Sequence, residues 1–397
     1  NNPNSPLAEV VTPELILPAA QNRAYFNVST TQNGFGTILM NQWAGDVTNY
    51  TSGNTNEYRF NVTATFYSGI WSNQYYGTDK LQAVINKNSE KTVNYTAIAK
   101  VLKVHNMQYI VDLYGDIPYS EAFQRGENYQ PAYDKATDVY KAMFIELTEA
   151  ISLIDGATVD AENPGANDVM LGGDMAMWKK FANTLRLKLL VRASSSSDGD
   201  VQSWVNTSFS ALGSIGFLGA GENITNNPGY SVGNGTQNPF WNRYGYNADG
   251  NPTGSHNFTV GSQYFIEFLK ASGNVTPIGA IDARIGAFFT TAAGSGGDYQ
   301  GVIQGADDPE NPNIGLSFIA EGPNALLRSA SASGLFFSSA ESLLLQAEAA
   351  LIGKIGGSAE AYFDSAITES FTWYGLGGSA AGYITAISGI NGIGWFT

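Results

Sequence analysis

The chain has 397 residues, only 14% of them charged, and 35 acidic against 20 basic residues give a formal net charge of −15. Phosphate neutralisation requires Lys/Arg clusters and none is present, so nucleic acid is excluded as a partner, and no run approaches the roughly 18 apolar residues of a membrane-spanning helix. The absence of cysteine removes disulfides, thiolate metal sites and cysteine nucleophiles, and His105 and His256 as the only histidines leave no multi-histidine zinc or iron site.

In chain order, a proline-punctuated start (Pro6, Pro13, Pro18) predicts a helix within Leu7–Tyr25. Val62, Phe66, Ile70, Trp71, Tyr75 and Leu81 predict helix over Phe60–Ile85, with Trp71 in its core. Ile98, Val101, Leu102, His105, Tyr109, Asp112 and Leu113 fall at helical spacing and predict a helix over Tyr95–Tyr114. Gly115 at a cap position and Pro118 then stop it. Tyr140, Phe144, Leu147 and Ile151 predict a helix over Ala136–Ile154.

Met175–Arg192 has the strongest amphipathic pattern. Trp178, Phe181, Leu185 and Leu189 form its apolar stripe, and Lys179, Lys180, Asn183, Arg186 and Lys188 lie mostly off it. The Ser194–Ser197 run and Asp198-Gly199-Asp200 are read as its end. Late in the chain, Glu341–Ile352 and Ser358–Trp373 predict a helix pair resembling a degenerate tetratricopeptide unit, with Ala347, Ala350, the Gly356-Gly357 turn, Tyr362 and Ala366. Between these helices the stretches 205–261 and 292–324 are rich in Gly, Asn and Pro, too long for simple connectors and therefore candidate functional loops.

Four blocks in order carry a family resemblance. They are Asn2-Pro3-Asn4-Ser5-Pro6; Leu113-Tyr114-Gly115-Asp116-Ile117-Pro118-Tyr119-Ser120-Glu121-Ala122 with Asp138-Val139-Tyr140; Met177–Leu189; and Ser339–Ala349 with Ala366–Ser370. Ile281-Asp282-Ala283-Arg284 adds a weaker match. Together they resemble the SusD/RagB family, the surface nutrient-binding lipoproteins of Bacteroidetes, over nearly the whole chain. The resemblance implies a mostly α, SusD-like domain over 1–397: a tetratricopeptide-like helix-pair scaffold mainly in 1–192 and 339–375, and a loop-rich, irregular ligand-binding half mainly in 193–338.

It also implies a non-catalytic protein held at the cell surface of the outer membrane. Its lipid anchor would lie upstream of Asn1, since the chain starts without Met or a signal peptide and is expected to be processed or trimmed. The implied partners are an oligo- or polysaccharide and a SusC-like TonB-dependent transporter. Family members usually continue through a Trp/Arg-rich segment where this chain stops at Gly394-Trp395-Phe396-Thr397, so a fragment or a variant is expected.

Seven Trp and 21 Tyr among abundant Gly and small polar residues direct attention to the loops. A sugar ring offers a C–H face that an aromatic ring covers, and a rim of hydroxyls that amides and charged groups bind. Trp241, Tyr244 and Tyr246, interleaved with Asn238, Asn242 and Arg243, supply both kinds of group within nine residues. Ligand stacking and plugging of a hydrophobic gap are both open for Trp241. Trp43 with Asn41 and Asp46 forms the second candidate group, in a loop shared with Tyr50, while Trp178 reads as core and Trp204 and Tyr299 stay undecided.

Asp116 and Glu121 read as turn and cap acceptors rather than a catalytic pair; Asn183, Arg186 and Glu341 as interhelical contacts; Asp282 and Arg284 as a local ion pair. No cofactor is expected. Calcium is the one metal alternative, at Asn247-Ala248-Asp249-Gly250-Asn251, which lacks the distal glutamate of an EF-hand, and Asp307-Asp308-Pro309-Glu310 reads as a solvated acidic turn. The expected function is glycan capture for a transporter, with a β-glucan such as laminarin as the expected ligand. A RagB-like peptide receptor, a two-carboxylate glycoside hydrolase and a scaffold binding only protein are the alternatives.

Overall fold

The apolar spacing of Val93–Tyr114 runs on almost every face, which makes this a central helix. Its side chains from Asn94 to Val111 are nearly all buried, in a computed structural model that describes residues 11–46, 60–273, 275, 279–306 and 314–395, with Arg125 in backbone only. The Asn2–Pro6 block, Tyr50 with the rest of its loop to Asn56, and the acidic turn 307–310 lie outside the described residues. The chain is mostly helical and divides into two compact units, one of residues 1–27, 69–228 and 335–362, the other of 28–68, 229–334 and 363–397.

In the first unit, Val93–Tyr114 packs most extensively on Ala136–Asp155, and also on Met175–Ala193 and Pro13–Asn27. Gly115 follows with φ of 77°, a left-handed position open to glycine, and the chain turns as expected. The turn carboxylates act as structural acceptors: Asp116 Oδ1 takes the Ala136 N–H at 2.9 Å, and Glu121 Oε2 takes the Ala132 N–H at 2.9 Å.

Met175–Ala193 starts under an Asp174 cap and buries Trp178, Phe181, Leu185 and Leu189 as its stripe predicts. Asn183, Arg186 and Lys188 lie off that stripe and are buried all the same, Asn183 and Arg186 as the polar contacts expected of them. This helix has neighbours on several sides, and its polar groups are used there. Asn183 Nδ2 donates to the Gly216 carbonyl at 3.0 Å, Arg186 to that of Ala211 at 2.7 Å, and Lys188 pairs with Glu341 at 2.7 Å. The Trp178 indole donates to Asp168, a buried carboxylate that also takes Gln21 Nε2 and backbone N–H groups of Met170 and Gly173.

Asp198 does not end the helical structure; it caps a new helix, Gly199–Ser210, by accepting from the N–H groups of Asp200 and Val201. The predicted helix over Phe60–Ile85 begins only at Ser68. Trp71 on it is a half-buried ring rather than a core one, set against Tyr75, Tyr114 and Tyr133. The late pair forms as Ser339–Leu351, capped by Ser338, and Ala359–Trp373.

The second unit is built from short pieces. Trp43–Gly45 pairs antiparallel with Thr259–Gly261, Trp43 facing Gly261. Gln263–Lys270, capped by Ser262, and Gly377–Ile387 are helices that the sequence reading missed. One core joins Trp43, Tyr244, Ile266, Leu269, Ile285, Phe289, Ile319 and Leu327, and a second joins Phe371, Ala380, Tyr383 and Ile387. Beside the second core, Arg284 forks onto the buried Asp282 carboxylate at 2.5 Å and covers the Phe371 ring at 4.5 Å, the local ion pair expected of these two residues.

Candidate functional site

The aromatic segment of the second unit is shaped by one asparagine. Asn238 caps the short helix Pro239–Tyr244, its Oδ1 accepting from the N–H groups of Phe240 (2.8 Å) and Trp241 (3.3 Å), with Pro239 at the first helical position. Its backbone N–H and its Nδ2 donate to the carbonyls of Ala330 and Ala332 at 2.7 and 2.9 Å. Asn238 is buried, and these bonds place it as the anchor of the segment.

One helical turn sorts the rings. Tyr244 is buried, with Phe240 four residues before it at a centroid distance of 5.1 Å. The half-buried rings of Phe240 and Trp241 both pack against the core that holds Trp43 and Tyr244, so Trp241 fills part of a hydrophobic gap as well as reaching the surface. Tyr244 is 5% exposed, and its hydroxyl donates to the Thr30 carbonyl at 3.1 Å. Trp43, 4% exposed, meets it edge-on with ring centroids 5.0 Å apart. Burial raises the Tyr244 pKa. Asp46 is buried with its N–H on the Phe258 carbonyl, and Asn41, at φ of 52°, accepts from the Ser262 hydroxyl through its carbonyl. Gln304 Nε2 donates to the carbonyls of Ile38 and Trp43, tying down this floor.

Trp241 and Tyr246 are half-buried, with centroids 5.6 Å apart and planes at 37°. Gly245 lets them meet: a Cβ there would lie 2.8 Å from the Trp241 carbonyl oxygen and 3.2 Å from its indole. The row continues to His256, whose ring is 4.8 Å from Tyr246 and whose Nδ1 lies 3.1 Å from the Tyr244 carbonyl. The Tyr246 hydroxyl donates to Glu321 at 2.8 Å, and burial followed by that carboxylate raises its pKa. Asn242 and Arg243 are exposed beside this row.

Of the nine residues singled out in the sequence, Trp241, Tyr246, Asn242 and Arg243 thus present groups at the surface, and Asn41 is half-buried. Trp43, Tyr244, Asn238 and Asp46 lie beneath as packing and anchoring groups. His256 and Glu321 were missed: Glu321 is 75 positions from the tyrosine that it binds, beyond any local spacing signal. In the run read as a calcium loop, Asn247 Oδ1 accepts from the N–H groups of Asp249 (3.0 Å) and Asn251 (2.9 Å), a self-closed turn. Among the described residues no group of three or more His, Asp or Glu side chains is placed to hold a metal ion.

Comparison with curated proteins gives no match. Solved structures do match. A chitin-binding protein is 24% identical, with 94% of this chain and 79% of that one covered and a TM-score of 0.71. A chitin-binding SusD homologue from Flavobacterium johnsoniae is 23% identical, covering 93% and 72%, with a TM-score of 0.72. A SusD-like protein from Bacteroides thetaiotaomicron is 22% identical, covering 91% and 72%, with a TM-score of 0.69. At these identities the likeness establishes a shared fold. The sequence profile of the SusD-like family, described as starch-binding and associating with the outer membrane, matches residues 3–390, and with the helical scaffold and loop-built second unit it places this chain in that family.

Proposed function

We propose that this protein is a non-catalytic glycan-binding protein of the cell surface, with Trp241 and Tyr246 as its stacking faces. The observation that carries this reading is the pair of half-buried rings, fixed from below by the Asn238 cap and the Trp43–Tyr244 packing. A platform held this way loses little entropy on meeting a sugar face. Asn242 and Arg243 beside it, with Glu321 and His256 at its far edge, supply groups for hydroxyls. Asn41 and Asp46 would support this site from the neighbouring strand end.

The role extends to passing captured oligosaccharide to a SusC-like TonB-dependent transporter, with membrane attachment through a lipid upstream of Asn1. Fold-level likeness to two chitin-binding proteins puts chitin oligosaccharides beside the β-glucan laminarin as first ligands to try. The net charge of −15 favours basic peptides as the second reading, and such binding weakens as salt rises. Native electrophoresis through gels carrying glycol chitin, laminarin or starch tests the first reading. Retardation by one of them, weakened in Trp241→Ala/Tyr246→Ala and insensitive to salt, supports it. Retardation by none overturns it, and reducing-end release from a bound glycan overturns its non-catalytic part.

A further inference from the structure

The turn after the central helix walls a second cleft, in the first unit and formed by other residues than the Trp241 platform. It encloses about 600 Å³ between the end of the Ser68–Ile85 helix and residues 119–127. Lys103 and Tyr119 at its base are spoken for: both reach Glu146, at 3.2 and 2.5 Å. That pairing leaves no free cation at the base among the described side chains, while the Glu127 carboxylate on the wall disfavours an anionic ligand. The reachable groups are the amides of Gln82 and Asn86, which bond each other at 2.8 Å and keep further donor and acceptor capacity, the amide of Gln124, and the exposed Glu127 carboxylate.

Phe123 stands at the edge of this cleft, with φ of 65°. A bulky residue in the left-handed region is a backbone outlier, and such strain is kept where surrounding contacts hold the residue in place. Its ring lies 5.7 Å from Tyr75, which lies 4.9 Å from Trp71, and Tyr133, largely exposed, stacks at 20° on Trp71. The Tyr75 hydroxyl donates to the Pro118 carbonyl at 2.8 Å and ties this row of rings to the turn. A polar cleft thus opens beside a row of aromatic faces.

We propose that this cleft, with the ring of Phe123, is a second saccharide-binding site, taking a neutral oligosaccharide with its C–H face on the ring and its hydroxyls on the three amides. The proposal rests on the glycan-binding reading above for its ligand class, and its test separates the two. Calorimetry of the full chain uses chitohexaose, laminarihexaose, cellohexaose and maltohexaose as probes. Four proteins are compared: the wild type, Trp241→Ala/Tyr246→Ala, Phe123→Gly/Asn86→Ala, and the combination of all four substitutions. Glycine suits the φ of Phe123, and a melting curve checks each fold.

The expected result is that Trp241→Ala/Tyr246→Ala still binds one hexaose, and that adding Phe123→Gly/Asn86→Ala weakens this remaining binding at least tenfold. If Trp241→Ala/Tyr246→Ala abolishes all binding, the second site is overturned and the platform stands. If only Phe123→Gly/Asn86→Ala abolishes binding, the cleft stands and the platform reading falls. Residual binding untouched by Phe123→Gly/Asn86→Ala, or no binding of any hexaose by the wild type, overturns the cleft.

Discussion

Trp43 and Tyr244 meet edge-to-face at 5.0 Å, each almost wholly buried, although 200 residues of chain separate the strand and the helix that carry them. This packing sets apart two tryptophans that look alike in sequence. Trp43 lies inside the core and Trp241 is half-buried at its edge, so their substitutions have different signatures. Trp43→Ala is expected to cost about 3–5 kcal/mol of stability, the range for emptying a buried large aromatic site. Trp241→Ala is expected to cost less than half of that and to weaken glycan retention. Chemical denaturation and affinity electrophoresis of both variants check this, and equal stability losses would count against it.

His105 gives the fold a pH limit. It is fully buried between Tyr109, Phe181, Phe336 and Phe337, and burial, then the nearby Lys188 charge, push its pKa down to about 3. In the unfolded chain the ring takes its proton near pH 6.5. The folded state holds it neutral, so its stabilising contribution is complete above pH 6.5 and is lost as pH falls toward 3. At about 1.36 kcal/mol per pH unit, roughly 2 kcal/mol is lost between pH 6.5 and 5. Urea midpoints at pH 7 and 5 should show this loss in the wild type and a smaller one in His105→Leu. Equal losses would remove His105 as the cause.

Much of the helical scaffold was legible because burial there follows sequence period. Ala136–Asp155 and Met175–Ala193 end within a residue of the ranges read from Tyr140-Phe144-Leu147-Ile151 and from Trp178-Phe181-Leu185-Leu189. Periodicity fails where a helix is enclosed, as Lys188 and Arg186 illustrate: polar side chains are buried because Glu341 and the Ala211 carbonyl wait for them. It fails again at Asp198, where an Asp-Gly-Asp run reads equally as a helix stop or as the cap of the next helix. In the second unit, nothing near Tyr246 announces Glu321, and nothing near Trp43 announces Tyr244. Loop aromatics could be named from sequence, while which ring faces inward depended on contacts made far along the chain.

The Asp282–Arg284 pair tests a different term. Asp282 is 1% exposed, and Arg284 binds both of its oxygens while donating to Ser370 at 2.6 Å. Arg284→Ala strands a buried carboxylate, and about 3–5 kcal/mol of destabilisation is expected. Asp282→Asn together with Arg284→Leu removes both charges and should cost distinctly less than Arg284→Ala alone. Thermal melts of the two proteins decide, and a double variant at least as unstable as the single one would show that the pair contributes more than charge compensation.

Asn238 links fold to platform, because the amide that caps the helix also sets the position of Trp241. Asn238→Asp keeps the oxygen that accepts from Phe240 and Trp241 and loses the Nδ2 bond to the Ala332 carbonyl; Asn238→Ala loses both. An N-cap deletion costs about 1 kcal/mol, with a further loss of about 1 kcal/mol from the buried bond to Ala332. The expected order of stability is therefore wild type, Asn238→Asp, Asn238→Ala. Glycan retention should follow the same order although the side chain of Asn238 lies beneath the rings, since a frayed helix lets the indole swing away from Tyr246. Retention unchanged in Asn238→Ala, with stability lowered, would mean that the rings hold their places without the cap and that the platform is set by the Trp43–Tyr244 packing alone.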